Sequence, residues 1–389
     1  MLFTSACKPS KISFPNTDTG TNTDTDTNTN TDTNQDSPTD TSNPGDTNPS
    51  GSGPGTSGDS SNPGTGNTTS DTGNSQTTAL NGPAAHLLID GSVHSGTDWN
   101  GQPYIGVWGE PFDFKMSNYP VTWAIALVHA SLILESWGID YDPNSILSVA
   151  IKESRLGCQS AGFPNQDGCF QIEDGTAYTE LKRIFPERFT AAHSAVISGG
   201  HFETSALAMA HYILFSMEMF YLHSGDPKAF FENHPEPAKA EHKVISAAYN
   251  RGLWWTGLDN VFKNCTTREV TECFDGHAIA IDHADAIEDY TEGLDQTSAF
   301  DKTLSLTDLE NYWETIAPLY PDANGPTILS VLETSFEKAA GGHTVISFNQ
   351  DLGGILADLI SALPAAPTTE ETRQKLCDIG YLYSKTACP

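Results

Sequence analysis

The sequence predicts a mainly helical body behind a long disordered tail, and three observations predict it. From Val121 onward, apolar residues recur at helical spacing in one segment after another, each bounded by capping or breaking residues. No strand–helix alternation and no Gly-x-Ser-x-Gly turn occurs, which argues against an enzyme built on a parallel sheet. From about Asn16 to Gln76 the chain is almost entirely Thr, Asp, Asn, Ser, Gly and Pro, without one aromatic residue. Such a stretch cannot bury enough apolar surface to offset the entropy of ordering it.

The elements follow in order. Residues 1–15 contain Met1-Leu-Phe-Thr-Ser-Ala-Cys7, small residues before a lone cysteine. This resembles the lipobox of a bacterial lipoprotein, although Thr4 stands where that motif usually has Leu and the basic and apolar regions of a signal are missing. The expectation is lipidation at Cys7; an ordinary free cysteine is the alternative. Residues 16–80 are the spacer, whose Thr-Asp/Thr-Asn alternation is low complexity and not a folded repeat. The body, 81–300, opens with loops and a short strand over Ala85–Met116. Val121–Trp137 is apolar enough for a buried helix ending at Gly138. Asp142-Pro143 supplies an N-cap and a first-turn proline for a helix running to about Arg155. Residues 156–173, Gly-rich and cysteine-flanked, fit a loop or small β-hairpin. Helices are expected at Ala177–Phe185, Glu203–His223, Ala238–Tyr249 and His277–Thr291. A C-terminal extension, 301–389, adds helices at Leu306–Ala317, Pro326–Ala339, Leu352–Leu363 and Glu370–Tyr383. The stripe Met209, Tyr212, Phe215, Met219 and Phe220 is read as core. No run approaches the ~18 apolar residues of a membrane-spanning helix.

The 389 residues carry a formal net charge of -31, with -7 in residues 1–80 and -24 in the rest. Phosphate contacts need a positive field, so nucleic acid is excluded as a partner. The same charge works against tight adhesion to anionic polymers, and solubility is its plain meaning. Apart from Cys7, six cysteines form three close pairs: Cys158 with Cys169, Cys265 with Cys273, and Cys377 with Cys388. Six cysteines permit fifteen pairings. None has zinc-knuckle spacing, and three short-range disulfides in an exported protein are the expectation. His277 and His283 lie six apart, on different helix faces, so no metal site is expected there, and no cofactor is implied.

Glu153 is the candidate for chemistry. On its predicted helix it shares a face with Ile146, Val149 and Ala150. A carboxyl at the end of an apolar stripe is partly desolvated, which favours its neutral form and suits a general acid. The plainer alternative is a helix-terminal glutamate paired in solvent with Lys152 or Arg155. Beyond Glu153-Ser154 come Gly168-Cys-Phe-Gln171-Ile172 and then Ala248-Tyr249-Asn250-Arg-Gly252. A helix-borne Glu-Ser, a Gly-x-x-Gln-Ile element and an Ala-Tyr-Asn-x-Gly element, in that order, resemble the soluble lytic transglycosylase and goose-type lysozyme family. The likeness spans residues 144–258. Cys169-Phe170 replaces the usual Leu-Met, and the Pro/Ala/Ser-rich stretch after Glu-Ser is faint.

The resemblance implies a lysozyme-like α+β fold and cleavage of the β-1,4 bonds of peptidoglycan glycan strands. It makes Glu153 the acid/base and Ser154 the adjacent polar residue. Gln171 would bond a sugar or its acetamido group, and Tyr249 and Asn250 would face the carboxyl and orient substrate. A lytic transglycosylase needs no second carboxylate, because the substrate's N-acetyl group or muramoyl 6-hydroxyl attacks the anomeric carbon to give a 1,6-anhydro product. Asp167, Glu173 and Asp174 are the carboxylates placed to act if one is needed. Trp254 and Trp255 are read as core or as a sugar platform. A Cys158–Cys169 bridge would staple the loop between Glu153 and Gln171. Lipidation and disulfides together place the chain in the cell envelope. The rival readings are a muramidase or chitin-type hydrolase on the same fold, and a non-catalytic envelope lipoprotein that binds glycan.

Overall fold

A computed structural model describes residues 91–93, 112–156, 158, 166–197, 201–224, 237–251, 278–295, 302–380 and 388. The tail with Cys7 and the Trp254–Trp255 pair lie outside these residues. The described body is mainly helical. Ahead of the helices, strand β1 (Gly91–Val93) pairs antiparallel with β2 (Phe112–Phe114). Helix α1 (Val121–Ser136) is buried on every side from Ala124 to Ala130, and the chain leaves it through Gly138 at φ +75°. Helix α2 (Pro143–Ser154) starts as its sequence requires: the Asp142 carboxylate accepts from the Ser145 N–H at 2.6 Å and Pro143 fills the first turn. Arg155 closes it in the left-handed region at φ +49°.

After α2 come strands β3 (Gln166–Asp167) and β4 (Ile172–Glu173), an antiparallel hairpin pairing Gln166 with Glu173. A π-turn, Asp174–Tyr178, leads into α3 (Thr179–Ile184), and α4 (His193–Val196) follows. Helix α5 (Phe202–Ser224) is the axis of the body, buried continuously from Phe202 to Phe220 and packed on α1 and α3. It is long and apolar enough to cross a membrane, contrary to what the sequence leads one to expect. Its polar Ser205, His211 and Glu218 break the apolar run but leave its average hydropathy high, and its burial makes it a core helix. The expected stripe Met209, Tyr212, Phe215, Met219 and Phe220 lies inside it. Helix α6 (Pro237–Arg251) packs on α5 and on α7 (Ala278–Asp295), and α7 also packs on α2.

The C-terminal part opens with β5 (Thr303–Ser305) and forms α8 (Leu306–Ile316) and α9 (Gly325–Ala340). Strand β6 (Val345–Ser347), antiparallel to β5, then leads into α10 (Phe348–Ala362) and α11 (Thr369–Asp378). Reciprocal capping boxes, Ser305/Asp308 and Thr368/Glu371, start α8 and α11. These helices join the compact unit that spans Gln76–Pro389. The Tyr312 hydroxyl meets His129 Nδ1 at 2.7 Å in the core. Arg188 donates to the Pro364 and Ala365 carbonyls at 2.6 and 2.9 Å, and Trp137 donates to the Pro367 carbonyl at 2.9 Å.

The β1–β2 pair lies within Ala85–Met116, where a short strand is expected, whereas the β5–β6 pair in the C-terminal part is not expected. Three-residue strands are too short for a period of two to show in sequence.

Two of the three expected disulfides are present, Cys158–Cys169 and Cys377–Cys388. The third expected pairing does not join them among the described residues. Cys265 lies outside those residues, and so does Cys273.

Candidate active site

Glu153 occupies the last turn of α2. Ile146, Val149 and Ala150 on its face are fully buried, so the predicted apolar stripe exists. The carboxyl does not meet a bare apolar wall, however: an imidazole stands against it. Its Oε1 lies 2.6 Å from His283 Nε2 of α7, with the glutamate side chain 19% and the imidazole 5% exposed. The other ring nitrogen, Nδ1, lies 3.1 Å from the Ser246 carbonyl of α6. Three helices therefore converge on this carboxyl.

That convergence is held from several directions. Lys243 of α6 forms 3.0 Å ion pairs with both Asp285 and Glu288 of α7. Thr291 of α7 donates to the Ser148 hydroxyl of α2 at 3.0 Å. Tyr141, just before α2, shares a hydrogen bond with Ser246 at 3.0 Å and stacks on His242, whose Nε2 meets the Ser145 hydroxyl at 2.9 Å. Burial pulls the Lys152 ammonium down, against the Glu153 and Asp282 carboxylates that favour its charge.

The hairpin forms the remaining side. The Ser154 hydroxyl donates to the Cys169 carbonyl at 2.8 Å, and the Tyr249 hydroxyl donates to the next carbonyl, Phe170, at 2.6 Å. Burial first, and then the nearby Glu153 carboxylate, push the Tyr249 hydroxyl well up from its ordinary value. Gly168 turns at φ +77°, and a Cβ there would sit 2.5 Å from the Ile197 carbonyl, so only glycine fits. Gln171 stands at φ +50° with its amide donating to the Gly168 carbonyl at 2.6 Å. Among the described residues, every non-glycine with positive φ falls at 155, 156, 158 or 171. Among the described residues, non-glycine backbone strain thus falls in two stretches, beside Glu153 and at the hairpin turn.

The structure therefore joins the three sequence elements into one cluster. Ser154 and Tyr249 use their hydroxyl hydrogens on the hairpin backbone, which makes them supports of the turn that carries Gln171. Asn250 is exposed at the end of α6. Of the carboxylates near Gln171, Glu173 accepts from the Thr176 hydroxyl at 2.6 Å and Asp174 is exposed on the π-turn. The side chain of Asp167 is outside the described residues. Among the described residues, no group of three or more His, Cys, Asp or Glu is disposed to hold a metal.

His283 is the residue that sequence reasoning missed, having been weighed only as a metal ligand with His277. A signal existed: Ala280, Ala284, Ile287 and Leu294 form the buried stripe of α7, and a histidine at position 283 falls on that stripe. A titratable group on an apolar face needs a partner.

No described family and no curated protein sequence matches the chain. Among solved structures, the chain is similar to an archaeal chitinase in its ligand-free form, with a TM-score of 0.52 and 18% sequence identity. The likeness covers 72% of this chain and 63% of the chitinase chain, and it is a likeness of fold.

Proposed function

We propose that this chain cleaves β-1,4-glycosidic bonds between N-acetylated amino sugars, with Glu153 as general acid and then base. The observation that carries the reading is the placement of Glu153: a mostly buried carboxyl on a strained helix end, faced by a hairpin whose turn is anchored by Ser154 and Tyr249. The fold it shares with an archaeal chitinase adds support. The polymer first in line is the peptidoglycan strand, cleaved as by a lytic transglycosylase. Glu153 protonates the glycosidic oxygen as the C1–O bond breaks. The carboxylate then takes the proton of the muramoyl 6-hydroxyl as that oxygen closes on C1, leaving a 1,6-anhydro end. The contact to the Glu153 carboxyl is an imidazole, and a reaction whose nucleophile belongs to the substrate fits that arrangement. Gln171 and Asn250 are the side chains assigned to sugar contact.

A second reading has its own observation. A net charge of -31 opposes an anionic polymer and leaves a neutral one such as chitin unopposed. Chitin-type hydrolysis would use the same carboxyl with water, or the substrate's acetamido group, as nucleophile. In either case the two disulfides fit an oxidising compartment. A lipid on Cys7 would tether the enzyme by a spacer of about 65 residues, with an r.m.s. reach of roughly 45 Å.

The test is digestion of purified sacculi and of chitin oligosaccharides by the wild type and Glu153→Gln, with mass analysis of the products. Release of anhydro-ended fragments by the wild type alone is expected. Reducing-ended products select hydrolysis. Undiminished release by Glu153→Gln overturns the assignment, and retention on the glycan without any product identifies a binding protein.

A further inference from the structure

We infer that His283 is the positioning residue that shares one proton with Glu153, through a tautomer dictated by the backbone of α6. The inference rests on the reading of Glu153 as the acid. It follows from two contacts of one ring. A carbonyl oxygen can only accept, so the 3.1 Å approach of Nδ1 to the Ser246 carbonyl puts a hydrogen on Nδ1. A neutral imidazole carries one N–H, so its Nε2 is then bare. Nε2 nevertheless lies 2.6 Å from Glu153 Oε1, a contact that requires a hydrogen between them. Two states satisfy both contacts: a neutral carboxylic acid donating to Nε2, or a carboxylate accepting from an imidazolium. In each, the pair holds one proton beyond the one on Nδ1.

The state that the geometry disfavours is the deprotonated one. Loss of the shared proton leaves a carboxylate facing the Nε2 lone pair. The ring cannot relieve this by moving its remaining hydrogen to Nε2 without breaking the Ser246 bond and setting a second lone pair against a buried carbonyl. A helix carbonyl some distance from the chemistry thus decides which ring nitrogen meets Glu153. During the reaction the carboxyl gives up its hydrogen bond to Nε2 and turns that proton to the glycosidic oxygen, which also receives the electron pair of the C1–O bond. The proton of the attacking hydroxyl then returns to the carboxylate and restores the pair, while Nδ1–H stays on Ser246 throughout. Other titratable groups stand around the pair: Lys152 on α2 and Tyr249 on α6 both feel the Glu153 carboxylate, and Asp282 on α7 acts on Lys152. Lys243 on α6 is occupied by Asp285 and Glu288. The imidazole is the bonded partner of Glu153.

The experiment compares the pH dependence of glycan cleavage in the wild type, His283→Gln and His283→Asn, all as the full chain. Gln keeps an N–H toward Glu153 and Asn keeps one toward Ser246, and neither titrates. Both variants are expected to lose activity near pH 7, about tenfold for each unit by which the alkaline limb moves to lower pH, and to regain it in acid. An equal loss at every pH would mean only a packing role and overturns the inference, as does a wild-type profile. If neither variant folds, 15N spectra of the imidazole in the wild type decide: a hydrogen on Nδ1 at all pH values supports the inference, and a neutral Nε2–H tautomer overturns it. Activity in Glu153→Gln would instead sink the underlying reading. Glu153→Gln inactive with an unshifted His283→Gln profile sinks the His283 role alone.

Discussion

The Tyr249 hydroxyl donates to the Phe170 carbonyl across 2.6 Å, tying the end of α6 to the turn of the β3–β4 hairpin. One carbonyl earlier, Ser154 does the same from α2. Segments far apart in the chain are thereby held to consecutive peptide units, and the hairpin has little freedom to move relative to Glu153. Tyr249→Phe keeps the ring and removes the bond. It is expected to cost about 1–2 kcal/mol in urea unfolding, with a severalfold loss of glycan cleavage. Unchanged stability would show that the bond is not made in solution.

Gly168 is the position least tolerant of a methyl group. A Cβ there would lie 2.5 Å from the Ile197 carbonyl and 3.1 Å from the Ile197 side chain, on a backbone at φ +77°. Gly168→Ala is expected to lose roughly 2 kcal/mol or more, read as a fall of several degrees in Tm. By contrast, Gly175→Ala has open space at its Cβ and should leave Tm nearly unchanged.

The two disulfides should separate stability from activity. Each closes a separation of 11 residues, worth about 2–3 kcal/mol of chain entropy. Removing Cys377–Cys388 with paired serines is expected to lower Tm alone. Removing Cys158–Cys169 should lower Tm and glycan cleavage together, because that bridge anchors Cys169, whose carbonyl receives Ser154. Equal activity in both double variants would contradict this.

Acid should loosen the core around α1 and α5. Burial pulls His129 down to about 3, helped by His211 and Arg188, and pulls His211 down to about 4, with Arg188 acting in the same sense. Each imidazole is neutral in the fold and would bind a proton near 6.5 once unfolded. The stability they permit is therefore complete above pH 6.5. It falls by about 1.4 kcal/mol per pH unit for each histidine on the way down to about 4 and 3. Glu218 and Glu241, pushed up to about 7 by burial, work in the opposite sense over the upper part of that range. The measurement is thus a difference: His129→Gln/His211→Gln should show a flatter fall of Tm between pH 7.5 and 5 than the wild type. Parallel curves would refute it.

Much of the helical framework was legible in the sequence, because its signals are local. Asp142-Pro143 starts α2 where a cap and a first-turn proline demand it, and the long apolar run of α5 marks a helix buried on all sides. The β5–β6 pair was not legible, since three residues carry no period. Nor was the joining of the C-terminal helices to the body, which depends on contacts such as His129 with Tyr312 and Arg188 with the 364–365 backbone.

The order of residue types along the chain determined by itself that Glu153 would end an amphipathic helix, that residues 156–173 would form a loop or small hairpin and that Tyr249 would close another helix. What stands against the Glu153 carboxyl was decided by tertiary structure alone. His283 lies 130 positions away, on a helix whose rotation is set by its packing on α2 and α6, and no local rule reports that rotation. Helix propensity acts over a few residues, whereas the environment of a buried proton is set by whichever elements the core brings together.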